Sequence, residues 1–115
     1  MSYLSENLNE IEQRILASCN TANRSRQDVL LIAVSKTKPL SLLEEAYACG
    51  IRDFGENRVQ ELTQKADTMP EDIHWHMIGH LQKNKVRAAV RHAYMIHSVD
   101  SLSLAETISA EAVKQ

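Results

Sequence analysis

An apolar run at residues 29–34 restricts the fold more than any other feature of this sequence. The segment VLLIAVSK places aliphatic side chains on both faces of an extended chain before it ends at Lys36. Strands of this kind are typical of parallel sheets that helices cover on both faces, whereas strands of antiparallel sheets tend to alternate apolar and polar residues. The run therefore predicts a central strand of a parallel sheet.

Strand and helix patterns then alternate at regular spacing. The later predicted strands are IRDFGEN, HWHMIGH and YMIHSV, and each is followed by a helical stretch. A helix precedes them all, because Leu4, Leu8, Ile11 and Ile15 recur at helical spacing. The sequence thus predicts an N-terminal helix and four βα units, folded as a single domain over residues 1–115.

Two of the predicted helices carry cap signals. Ser41 and Glu44 have the spacing of a capping box, in which both side chains satisfy free backbone amides at a helix start. Gly50 is placed to end that helix. The DSLS segment offers Ser or Asp as the cap of the last helix.

Parallel strands joined by helices form either an open sheet covered on both faces or part of a (β/α) barrel. The even repeat favours the barrel of the TIM type. A closed eightfold barrel needs about 250 residues, or about 200 at least, so the 115 residues of this sequence supply about half of one. The first and fourth strands of a half-barrel would have unpaired edges, which favour self-association.

Composition argues against several classes of partner. The net charge is −2, with acidic and basic residues interspersed, so no broad field attracts nucleic acid or an anionic membrane. Two cysteines cannot build a disulfide framework, and no segment has the length and apolar character of a membrane span or a signal peptide. We therefore expect a cytoplasmic protein.

Polar residues lie where each predicted strand ends. They are Lys36, the Gly55–Asn57 segment, Gly79 with His80, and the His97–Asp100 segment. The carboxyl ends of parallel strands meet at one edge of the sheet, so these residues are predicted to share one mouth.

Lys36 is the candidate nucleophile of that mouth. An amine beside apolar walls loses hydration that stabilises its charged form, so the neutral amine becomes available to condense with an aldehyde. Position alone also allows Lys36 and Lys38 simply to carry the strand out into water, as exposed lysines generally do.

Three motifs distinguish these alternatives. VSKTKP, FGENRVQE and HWHMIGHLQKNK, in that order, resemble the pyridoxal 5'-phosphate (PLP) homeostasis proteins, which share the barrel of the N-terminal domain of bacterial alanine racemase. The resemblance covers nearly the whole chain. It implies that Lys36 holds PLP as a Schiff base, and that Asn57, His76 and Gly79 line the pyridine side of the pocket, with Ser98 a weaker candidate for the same wall. It also implies that the phosphate-binding strands and the arginine facing the pyridine nitrogen belong to a C-terminal half that this sequence does not contain.

The resemblance implies a non-catalytic carrier for PLP (vitamin B6) homeostasis inside the cell, with PLP-dependent apoenzymes as recipients. The alternative is a PLP-dependent racemase or lyase that uses the same lysine. A racemase needs two bases on opposite faces of the cofactor. In alanine racemase the second is a tyrosine contributed with the help of another domain, and Tyr94 here is predicted at the opposite end of the barrel. We therefore predict a carrier and no enzyme.

Two other clusters have simpler interpretations. His74, His76 and His80 suggest a metal site, but no cysteine or carboxylate stands within the run to complete a tetrahedral set. Trp75, between the first two, is predicted to lie in the core, and no metal site is predicted. The helical stripe of Lys83, Arg87 and Arg91 is predicted to be solvated, because no aromatic residues accompany it to stack on bases.

Overall fold

A computed structural model describes residues 3–115, which form an α/β unit around a four-stranded parallel sheet. The strands are β1 Ala33–Val34, β2 Asp53–Glu56, β3 His74–Met77 and β4 Met95–Ile96. The helices are α1 Tyr3–Thr21, α2 Leu40–Ala48, α3 Val59–Thr68, α4 Val86–His92 and α5 Leu102–Lys114, and short 3-10 turns lie at Arg26–Asp28 and Lys83–Lys85. The predicted N-terminal helix and the four βα units are confirmed within this range.

The strands follow one another in chain order, β1-β2-β3-β4, and every neighbouring pair is parallel. The register places Val34 beside Gly55, Gly55 beside His76, and His76 beside Met95. Because side chains alternate between the faces of a strand, these four residues form one row across one face of the sheet.

The two faces of the sheet differ in cover. One face carries Phe54, Trp75 and Met77, which pack with helix residues such as Leu62 and Val86 in the main core. The rings of Phe54 and Trp75 have centroids 5.5 Å apart. On the other face, which we call the open face, Val34 is 53% exposed and Met95 48% exposed. The predicted core position of Trp75, opposite His74 and His76, is confirmed.

The prediction that VLLIAVSK forms a central strand is wrong. Within residues 3–115, β1 lies at one end of the sheet and pairs with β2 alone, and it contains two residues of the apolar run. Leu30 is 59% exposed. Apolar side chains on both sides of a strand indicate that both faces of the sheet are favourable to bury at that point. They do not indicate whether the strand has a hydrogen-bonded neighbour along each of its two edges.

The predicted capping box of α2 is also wrong. The helix begins at Leu40 with Pro39 as its N-cap, and no side chain caps it. Ser41 therefore lies inside the first turn, two positions after the cap residue. The predicted end is confirmed, because Gly50 follows the helix with a φ of 102°, a conformation that favours glycine.

No helix within residues 3–115 is both long enough and apolar enough to cross a membrane.

Two serines at helix starts allow a matched test of this fold. The Oγ of Ser101 accepts a hydrogen bond from Leu104 N at 3.0 Å and caps α5. We expect Ser101→Ala to lower the free energy of unfolding by about 1 kcal/mol. Ser41→Ala removes no cap and should change it by less than about 0.5 kcal/mol. Urea unfolding followed by circular dichroism measures both, and equal losses would contradict the assignment of the two helix starts.

Candidate functional site

Lys36 occupies a tight turn between β1 and α2. The backbone N–H of Lys38 donates to Ser35 O at 3.2 Å, so Lys36 and Thr37 are the two central residues of the turn. Lys36 is exposed and makes no ion pair with any residue in the described range. Residues 3–115 do not form the apolar shelter expected around this amine. Within this range no strand pairs with the outer edge of β1.

A buried ion pair lies beneath this turn. The Nζ of Lys65, on α3, is 2.7 Å from Glu56 Oε2 at the end of β2, and both side chains are buried. The same Nζ donates to the backbone O of Ser35 at 2.7 Å. The hydroxyl of Ser35, itself buried, is hydrogen-bonded to Glu56 Oε2. The ends of β1 and β2 are thus joined to α3 by one polar cluster.

Glu61 extends this cluster to the next residue of the turn. Its Oε2 accepts from Lys65 Nζ at 2.7 Å and from the backbone N–H of Thr37 at 2.8 Å. The hydrogen bond from Lys65 lowers the pKa of the Glu61 carboxyl, with a smaller contribution from the Thr37 amide, although partial burial acts in the opposite direction. The charged form of Glu61 is therefore stabilised where it touches the turn.

Sequence reasoning missed this cluster. The spacing of Glu61 and Lys65 is that of an i,i+4 ion pair, which is normally a solvated feature of a helix surface. Nothing in the segment NRVQELTQKAD indicates that this lysine points into the protein. Glu56, inside the predicted GEN motif, was assigned to the strand end without a role.

Three of the predicted site residues lie together at the carboxyl ends of β2, β3 and β4. A Cβ added to Gly79 would lie 2.4 Å from Asn57 O and 2.7 Å from Asn57 Cα, so only glycine allows these two backbones to approach so closely. The hydroxyl of Ser98 donates to Gly79 O. Asn57, Gly79 and Ser98 therefore form one connected wall.

His76 lies one row below this wall and is fully buried. Its Nε2 is 2.9 Å from Asp53 Oδ1, and its Nδ1 is 2.9 Å from Nε2 of His97. Asp53 also contacts His74 Nδ1 at 3.3 Å, and the ring of Tyr94 stacks on His74 with centroids 4.1 Å apart. The predicted site residue His76 is thus held inside a line of polar side chains rather than presented at the mouth.

Of the three histidines suggested as a metal cluster, His80 has a different carboxylate partner from the other two. His80 faces Asp100 at 3.6 Å, whereas His74 and His76 share Asp53. Within residues 3–115, no group of three or more His, Cys, Asp or Glu side chains is arranged to hold a metal ion.

Comparisons with known proteins identify relatives of about twice this length. No protein-family model matches the chain. The pyridoxal phosphate homeostasis protein of Pseudomonas aeruginosa is 42% identical over 112 residues, which cover 96% of this chain and 49% of that protein. PipY of Synechococcus elongatus, solved with PLP bound, superposes with a TM-score of 0.72 at 46% identity and covers 90% of this chain and 49% of that one. An unknown protein from Bifidobacterium adolescentis gives a TM-score of 0.87 at 34% identity, over 96% of this chain and 49% of its own. The chain therefore spans about half the length of the relatives it matches.

The buried ion pair gives a stability prediction. Lys65→Met leaves the Glu56 carboxylate buried without its cation, which should lower the free energy of unfolding by about 3–5 kcal/mol. Lys38→Met, at an exposed lysine, should change it by less than about 0.5 kcal/mol.

A double variant tests whether the two side chains act as a pair. Lys65→Met leaves the charge of Glu56 buried without a partner, and Glu56→Gln removes that charge. The double variant should therefore be more stable than the sum of the two single losses predicts, by about 0.5–3 kcal/mol. Urea midpoints of the four proteins provide the cycle. Strict additivity would show that Glu56 and Lys65 do not stabilise the fold through each other.

Proposed function

By sequence and fold this chain belongs with the pyridoxal phosphate homeostasis proteins, of whose length it spans about half, and on that premise we propose that it holds PLP through Lys36 as a non-catalytic carrier. The role is the handling of PLP, a vitamin B6 cofactor, inside the cell, with PLP-dependent apoenzymes as recipients. The observation that carries the proposal is the placement of Lys36 on an anchored turn, where its amine is exposed and forms no ion pair with the residues that the structure describes.

The residues around the turn fit an aldehyde cofactor. When bound, PLP supplies an aldehyde that a primary amine joins covalently and reversibly. Lys36 provides the amine, and no carboxylate in the described range holds it as an ion pair. Ser35, on its N-terminal side, is buried and bonded to β2, so the amine extends from a fixed base.

The connected wall of Asn57, Gly79 and Ser98 supports the proposed pyridine side of the pocket. It lies at the same edge of the parallel sheet as Lys36, since all four residues follow the carboxyl ends of strands. The backbones of Gly79 and Asn57 approach each other closely, so main-chain atoms line this part of the wall. His76 supports the wall from the row beneath, through His97, which precedes Ser98.

A carrier is favoured over a racemase or lyase by the position of Tyr94. A racemase needs a second base that reaches the cofactor from the face opposite Lys36, at the same end of the sheet. Tyr94 precedes β4 and stacks on His74 at the start of β3. Because the strands are parallel, this tyrosine lies at their amino ends, whereas Lys36 lies at their carboxyl ends.

We further propose that residues 3–115 are half of a (β/α) barrel, so that the edges of β1 and β4 pair with further parallel strands. In the 115-residue chain alone, the available source of such strands is a second copy. The exposure of Val34 in β1 supports this association, because a second copy could cover its side chain.

Self-association can be tested with two matched valines. The 115-residue chain should show a mass that rises with concentration in sedimentation experiments. Val34→Lys places a charge on the edge strand and should weaken the association, whereas Val113→Lys, at a site 84% exposed on α5, should not. A monomer at every concentration would overturn the proposal.

Two lysines two residues apart provide the test of PLP attachment. We expect the 115-residue chain to hold PLP weakly, so borohydride is added to trap the bound cofactor, and peptide mapping should place the trapped cofactor on Lys36. Lys36→Ala should abolish the addition, and Lys38→Ala should retain it, because only Lys36 lies between anchored residues. Intact mass spectrometry and the absorbance of the trapped cofactor are the measurements.

Two results would reject this assignment. Equal labelling of Lys36 and Lys38 would show that the turn confers no selectivity. Racemisation or decarboxylation of amino acids by the chain, lost in Lys36→Ala, would replace the carrier by an enzyme.

A further inference from the structure

Resting on the proposed function, we propose that Glu61 and Lys65 are positioning residues for Lys36, because they hold the two peptide groups on either side of its Cα. Lys65 Nζ donates to the carbonyl of Ser35, in the peptide that precedes Lys36. Glu61 Oε2 accepts from the N–H of Thr37, in the peptide that follows it. Both contacts come from one helix, α3, which fixes the backbone that carries the amine.

The backbone of this turn is held in a strained conformation. Thr37 has a φ of 60°, and it is the second central residue of a turn closed by Lys38 N and Ser35 O. Positive φ at that position is usually supplied by glycine or asparagine, and a β-branched residue there is an outlier. The other non-glycine residue with positive φ in the described range is Asn23, a residue type that tolerates this conformation.

The contacts from α3 explain why the strain persists. The same oxygen of Glu61 accepts from Thr37 N at 2.8 Å and from Lys65 Nζ at 2.7 Å. Lys65 is in turn fixed by Glu56 at 2.7 Å. Strained backbone conformations survive where their surroundings determine them more than once, and they cluster at binding and catalytic sites.

A fixed base is useful to a lysine that must meet an aldehyde. A side chain whose Cα is already placed loses less freedom when its nitrogen reaches the reacting carbon, and small misplacements at such a centre reduce rates strongly. The position of the Lys36 Cα is therefore set before the cofactor arrives. Neither Glu61 nor Lys65 needs to touch the cofactor.

Protonation of Glu61 is the condition under which this arrangement fails. Lys65 from α3 and the Thr37 amide hold the pKa of Glu61 below its ordinary value, and Glu56 of β2 is the other carboxylate that Lys65 contacts. Lys36 and Lys38 are the other charged residues carried by the turn. A depressed folded pKa means that the contribution of Glu61 is complete above about pH 4.3, the ordinary glutamate value, and is lost as the pH falls through the lower folded value.

The experiment compares Glu61→Ala with Glu61→Gln, which keeps an acceptor oxygen, and with Gln64→Ala, an exposed control on the same helix. PLP is added to each full 115-residue chain, the product is trapped with borohydride, and the rates at Lys36 and Lys38 are read from the same sample. We expect Glu61→Ala to slow labelling of Lys36 roughly tenfold relative to Lys38. Gln64→Ala should stay within roughly twofold of the original chain. Glu61→Gln, which keeps an acceptor oxygen but is neutral like protonated Glu61, should slow the labelling of Lys36 by an amount between those of the other two variants.

A second reading reports the turn itself, without PLP. The Thr37 amide signal in NMR spectra should titrate with Glu61 as the pH falls below about 4.3, lose protection in Glu61→Ala, and become independent of acid pH in Glu61→Gln. Because Glu61 is partly exposed and Lys65 keeps Glu56 as a partner, both variants should remain folded.

The outcomes separate this inference from the proposed function. Release of the Thr37 amide in Glu61→Ala, with an unchanged rate at Lys36, would overturn the positioning role alone. An unchanged Thr37 amide would overturn the structural basis of that role. No labelling of Lys36 in the original chain would overturn both the role and the proposed function.

Discussion

The contact between Glu56 and Lys65 is the constraint on which the rest of the candidate site depends. It places two opposite charges 2.7 Å apart in the interior, where desolvation costs much of what their attraction gains. One carboxylate oxygen of Glu56 has no hydrogen-bond partner in the described range. The arrangement is therefore a poor means of stabilising a fold, whereas it is an effective means of defining where the turn after β1 must lie. Each member of the pair also holds Ser35, Lys65 through its carbonyl and Glu56 through its hydroxyl.

Local sequence signals located the elements because they depend on neighbours along the chain. Helical spacing, the helix-ending Gly50 and the DSLS cap all report contacts within a few residues, and the structure agrees with them. The two errors in the fold, the central position of β1 and the cap at Ser41, have another origin. The edge position of β1 depends on which strands pair with it, and this is not encoded in the strand itself. The start of α2 is set by Pro39, whose φ of −69° already suits the entrance to a helix.

The same difference between local and long-range signals applies to the candidate site. Lys36, Asn57, Gly79 and Ser98 could be grouped from the sequence, because the ends of parallel strands share one edge of a sheet. The contacts that fix them could not. Lys65 reaches Ser35 across 30 positions of sequence, and no rule of spacing distinguishes a lysine that points inward from one that is solvated. His76 was assigned to the correct strand, but its depth depends on Asp53 and His97, which belong to two other strands.

The line from Asp53 through His76 to His97 has a consequence for where hydrogen atoms reside. An ionised Asp53 can only accept, so Nε2 of His76 carries hydrogen, and in a neutral ring its Nδ1 has the lone pair. In that arrangement His97 Nε2, 2.9 Å away, is the donor of the next hydrogen bond. The tautomer of an imidazole at the surface is thus dictated by a carboxylate with which it makes no contact.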